Sequence, residues 1–143
     1  MNLPQIYVSC PIRGKNGSNA TEEQMAVNCF LATQNLEFLE KTFSQIQWVM
    51  VAAHDRIVQK LLASKKVSIE DVLSADADLQ KNCVGFISTE WEPSSGVDEE
   101  VCLARDLGQV MLCLEDVLSL ELDVDRTRLD GFVSEVMRAH YGK

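Results

Sequence analysis

Residues 83–114, CVGFISTEWEPSSGVDEEVCLARDLGQVMLCL, decide the fold. Cys83-Val84-Gly85-Phe86-Ile87 is a short apolar run of strand length, and Val110-Met111-Leu112-Cys113-Leu114 is another. Between them, Ser88 to Ser95 reads as a loop broken by Pro93. Ser95-x-x-Asp98 then opens a helix that stops at Gly108. Strand, helix and strand in one unit predict two parallel strands joined by a right-handed crossover.

The rest of the chain repeats this alternation. Ile6 to Cys10, stopped by Pro11, reads as a buried first strand, followed by a polar loop from Arg13 to Ser18. Thr21-x-x-Gln24 predicts a capping box and a long helix whose stripe includes Met25, Cys29, Leu36, Leu39 and Phe43. Ile46 to Ala53 reads as a second strand ending at His54, with helical residues from about 55 to 63. Ser68-x-x-Asp71 opens a further helix to about Asn82, and a last one spans about Arg126 to His140. The fold class expected is an open parallel α/β sheet of about four or five strands flanked by helices, in one domain over residues 1–143. In such sheets ligands bind beyond the carboxyl ends of the strands. The loops after Pro11, at His54 and at Ser88–Ser95 leave from those ends.

Composition narrows the function. The 143 residues carry a net charge of −9, with a pI near 4.6. That balance opposes a nucleic-acid polymer but leaves room for one small phosphate ligand. No apolar run approaches the ~20 residues of a membrane span, and the first residues read as no secretion signal. The five cysteines are odd in number with no C-x-x-C pair, so reduced thiols in the cytoplasm are expected. Neither histidine stands at ligand spacing from a cysteine, so no metal or other cofactor is expected.

Two acids stand on the wrong helical face. At 100° per residue from Gly96, the residues Val97, Val101, Leu103, Ala104 and Leu107 form one apolar arc, and Glu100 falls inside it. In the helix from Ser68, Asp76 falls within the arc of Ile69, Val72, Leu73 and Leu79. A carboxylate on a core face is costly unless it is paired or opens into a cavity. The plainer role for either acid is a buried cap or ion pair. Two together point to acid–base or nucleophilic chemistry. Pro93-Ser94-Ser95-Gly96 precedes a helix N-terminus, where free N–H groups favour an anion. With Ser95 as the cap, Ser94 is left to contact a phosphate, and Gly96 permits close approach. Arg13 and Lys15 supply nearby positive charge.

Two stretches, Ile6-Tyr7-Val8-Ser9-Cys10-Pro11-Ile12-Arg13-Gly14 and Asp76 through Ala104, resemble the nucleoside 2-deoxyribosyltransferase superfamily. Within it the resemblance is to the 2′-deoxynucleoside 5′-monophosphate N-glycosidases. It implies a Rossmann-like or flavodoxin-like three-layer sandwich, and assigns roles by position. Glu100 matches the nucleophile, Tyr7 the residue orienting it, and Asp76 the acid serving the departing base. Ile12, Arg13, Gly14, Ser94 and Gly96 match the 5′-phosphate site. His54 is placed toward the base, and Ser119 matches a serine lent by a homodimer partner. The implied reaction is hydrolysis of a (deoxy)nucleoside 5′-monophosphate to free base and sugar 5-phosphate. The alternatives are deoxyribosyl transfer between free nucleosides and a nucleotide sensor without turnover. Cys10 and Pro11 replace the glycine and serine usual before Ile-Arg-Gly. Glu90, Glu92, Asp98 and Glu99 crowd the site, and phosphate binding requires them to point to solvent.

Overall fold

A computed structural model describes residues 2–12, 14–50, 64–66 and 68–142. Arg13, His54 and the helical residues expected from 55 to 63 lie outside the described residues. Four strands, β1 (Gln5–Ser9), β2 (Gln47–Val49), β3 (Gly85–Glu90) and β4 (Val110–Glu115), form one open sheet in the order β2-β1-β3-β4. Every pairing is parallel, as the crossovers require. The helices are α1 (Glu22–Thr42), α2 (Ile69–Lys81), α3 (Ser95–Leu107), α4 (Leu120–Asp123) and α5 (Arg126–Tyr141).

The strand period of two divides β1 between two cores. Ile6 and Val8 join Ile87, Leu112, Leu39, Leu129, Phe132 and Val136 on the face covered by α1 and α5. Tyr7 turns the other way, with Phe86, Cys83 and Ala104, toward α3. Helices on both faces make the fold a three-layer α/β sandwich.

Both expected capping boxes form, at Thr21 with Gln24 and at Ser68 with Asp71. Gly108 ends α3 with φ +69°, the left-handed conformation that suits glycine.

The structure corrects several boundaries. β3 begins at Gly85 rather than Cys83 and continues to Glu90, through residues expected to form a loop. Ser88 and Thr89 are buried there because backbone pairing with Cys113 and Leu114 needs no apolar side chain. Of the second strand expected over 46–53, Gln47–Val49 is paired, and 51–53 lie outside the described residues. The polar loop after β1 winds into 3-10 turns over Gly14–Asn19, kinked at Gly17. Leu79 and Leu107, expected on apolar arcs, are exposed. On α1 the fully buried line is Asn28, Ala32, Asn35 and Leu39, while Met25, Cys29 and Leu36 are only half-buried.

The two asparagines are buried because each ties down a loop. Asn35 donates to the Leu118 carbonyl at 3.1 Å and accepts the Leu120 N–H at 2.9 Å. That clamp holds α4, a helix too short for periodicity to reveal.

Candidate active site

Tyr7 and Ser9 share a strand parity, so both side chains face α3. The parallel register sets Tyr7 beside Phe86, and their rings stack with centroids 6.0 Å apart. Ser9, the last residue of β1, donates its hydroxyl to Glu100 Oε1 at 3.0 Å. The Tyr7 hydroxyl lies against the same carboxylate and helps hold its ionised form. Glu100 Oε2 is nonetheless buried, with no hydrogen bond of ordinary geometry among the described residues. One carboxylate oxygen is therefore fixed by the strand, and the other has no such partner among the described residues.

Asp76 on α2 is buried as its helical face predicted. Burial pushes its carboxyl up to about 6. Burial likewise pushes Glu100 up to about 7, against the opposing effects of Tyr7 and Ser9, and the charge of Asp76 adds to the rise. Tyr7 is held protonated by its own burial and then by Glu100, so its hydroxyl serves as a donor. Neither acid caps a helix, and neither meets a cation among the described residues. Among the described residues the plainer structural roles are thus unfilled. What remains is a pair of carboxyls raised by burial, Glu100 further by the charge of Asp76, that ionise close to neutrality.

Gln80 completes this arrangement and was not singled out in the sequence. It lies one turn beyond Asp76, is fully buried, and donates to the Glu100 carbonyl at 2.8 Å. Gln109 returns the link, donating to the carbonyls of Gln80 at 2.7 Å and Cys83 at 2.8 Å. These bonds lock α2 to α3 and fix the distance between the two acids. The signal was the i,i+4 spacing of Asp76 and Gln80. Ser9 was legible only as the residue sharing a face with Tyr7.

The anion-binding residues are arranged differently from expectation. Ser94, not Ser95, caps α3: its backbone is extended and its Oγ accepts the Val97 N–H at 3.3 Å. Adjacent serines offer two cap registers, and the extended conformation persists through Ser94. Ser95 is the exposed first residue of the helix, and Gly96 is half-buried with nothing nearer than Ser94 Oγ to a side chain placed there.

Ile12 is buried, and its carbonyl accepts from Asn28 Nδ2 at 2.9 Å. Gly14 takes φ +62°. Glu90 and Glu92 are half-buried rather than fully solvated: Glu90 accepts the Ser94 N–H at 3.3 Å, and the Glu92 carboxylate lies directly over Gly14. Ser119 caps α4, accepting the Leu122 N–H at 3.2 Å.

Cys10, beside Ser9, bonds Thr89 through its sulfur at 3.3 Å, and burial pushes its thiol up to about 12. It is a neutral thiol packed against the core covered by α1 and α5.

Comparison of the chain with family models, with curated proteins and with solved structures finds no match. Among the described residues, no helix is long and apolar enough to cross a membrane.

Proposed function

We propose that the protein cleaves the N-glycosidic bond of a nucleoside-class substrate with Glu100 as nucleophile. The observation that carries this reading is Glu100 itself. Its Oε1 is pinned by Ser9, its Oε2 is buried and unpartnered among the described residues, and Asp76 is a second raised carboxyl acting on it. Oε2 attacks the anomeric carbon as the carbon–nitrogen bond breaks, and the bonding pair leaves with the base. Protonated Asp76 delivers its proton to that base. Water then attacks the glycosyl ester, Asp76 takes back a proton, and Glu100 leaves as carboxylate. Tyr7 steadies the nucleophile through its hydroxyl.

Carried from the resemblance, the substrate is a (deoxy)nucleoside 5′-monophosphate and the products are free base and sugar 5-phosphate. A second reading, cleavage or base exchange of a free nucleoside, is favoured by the carboxylates of Glu90 and Glu92 at the N-terminus of α3 and over Gly14. Incubation with paired nucleosides and monophosphates, with and without a second base, separates these readings. Release of base from a monophosphate in water supports the first, and release from a nucleoside supports the second. Ligand-induced thermal stabilisation with no release from any member of the panel overturns both in favour of a sensor domain.

The reading includes a homodimer. Val27 and Phe30 of α1 and Leu118 and Leu122 beside Ser119 are exposed apolar side chains, and α1 packs against α4. Such a surface suits a partner protomer. Sedimentation at micromolar concentration should give a dimer, and a fully active monomer contradicts it.

A further inference from the structure

The loop after β3 folds back over the turn after β1. Trp91 Nε1 donates to Asn28 Oδ1 at 3.0 Å, and Asn28 Nδ2 donates both to the Ile12 carbonyl at 2.9 Å and to Glu92 Oε1 at 3.3 Å. Asn28 is buried on α1, so the anchor is part of the helix rather than of a loop. A β-carbon at Gly14 would collide with the Glu92 carboxylate, so that carboxylate rests on bare backbone. The turn lies beyond the carboxyl end of β1 and packs against α3. A glycine turn beside a helix N-terminus, at that end of a parallel sheet, is where an anionic ligand group would be received. Here the chain has placed its own anion there, and Glu90 accepts the Ser94 N–H at the neighbouring helix end.

We propose that Glu92 is a specificity-determining residue: tied by Asn28 over Gly14, its carboxylate holds the place a substrate phosphate would need and selects sugars that bring a neutral hydroxyl. This rests on the second reading above, in which the site receives a free nucleoside rather than its 5′-monophosphate. A phosphate dianion meeting a fixed carboxylate is repelled, whereas a hydroxyl donates a hydrogen bond to it. Discrimination of this kind works by rejecting the wrong ligand as much as by binding the right one.

The test is Glu92→Gln, which removes the charge, nearly keeps the volume and retains an oxygen to accept from Asn28. Two measurements are made on it and on the wild type. One is catalytic efficiency for a nucleoside and for its 5′-monophosphate. The other is calorimetric binding of ribose and of ribose 5-phosphate, which requires no turnover. The wild type should prefer the unphosphorylated member of each pair. The variant should raise the phosphate-to-hydroxyl ratio at least tenfold. A variant that binds ribose 5-phosphate at least tenfold tighter, while neither protein cleaves any substrate, supports the role of Glu92 and removes the glycosidase reading. An unchanged ratio in both measurements overturns the proposal, as does a wild type that already prefers the phosphate. Should Glu92→Gln fold poorly, Glu92→Ser carries the same ratio test, because the charge and not the side-chain length is at issue.

Discussion

Replacing Glu100 by glutamine separates the chemical cost of this site from its structural role. In the folded chain the carboxyl ionises at about 7, against an ordinary 4.5, chiefly because it is buried. At 1.36 kcal/mol per pH unit, that rise corresponds to roughly 3 kcal/mol. The sign follows from proton binding. Between about pH 4.5 and 7 the folded state holds a proton that the unfolded chain has released, so wild-type stability falls as pH rises through that window. Glutamine carries no charge, keeps an oxygen for the Ser9 hydroxyl, and does not titrate. Its amide nitrogen replaces Oε2, and leaving it unpartnered costs about 1–3 kcal/mol, independent of pH.

The readout is therefore the pH dependence of the stability difference. Relative to wild type, Glu100→Gln should gain roughly 3 kcal/mol between pH 4.5 and 8, about 6–12 °C in melting temperature for a chain of this size. Urea and thermal unfolding of both proteins at matched pH values measure it. Base release by the variant should fall at least about a hundredfold. A stability gap that stays constant from pH 5 to 8 refutes the burial argument. Wild-type turnover by the variant refutes the nucleophile.

With Glu100 needed ionised and Asp76 protonated, catalytic efficiency should follow a bell with its optimum between about pH 6 and 7, the two values belonging to the coupled pair. Asp76→Asn should cost at least about tenfold in rate and abolish the alkaline limb, so a flat wild-type profile from pH 5 to 8 would count against both roles. Tyr7→Phe keeps the stack on Phe86 but removes the hydroxyl that steadies the Glu100 charge, so in the Asp76→Asn background, where Glu100 alone sets the profile, the acid limb should move to higher pH. An unmoved limb in that variant disconnects Tyr7 from Glu100. Gln80→Leu breaks the bond to the Glu100 carbonyl and strips a partner from Gln109, and should lower stability by about 1–3 kcal/mol in urea titration; no loss would show that α2 and α3 are held otherwise.

The alternation of the described strands with the longer helices, the parallel sheet and both capping boxes were legible in the chain because each rests on local information. Residue spacing, strand length and side-chain hydrogen bonds over three residues suffice for them. The inward turn of Asp76 and Glu100 was legible for the same reason, since a helix face is set by period alone. Strand ends were not: β3 gains Ser88, Thr89 and Glu90 only because β4 lies alongside to accept their backbone groups. The partners of Glu100 also lay beyond local pattern. Ser9 is 91 residues away in the chain, and the parallel register and the α3 crossover bring it within 3.0 Å. Glu92 is the sharpest case. In sequence it is one acid among several in a loop, with every reason to be solvated. Asn28, 64 residues earlier on a helix of the opposite layer, turns it onto Gly14. Period and composition decide which face a residue occupies. Which side chain it meets across the sheet is decided only when layers distant in sequence are packed together.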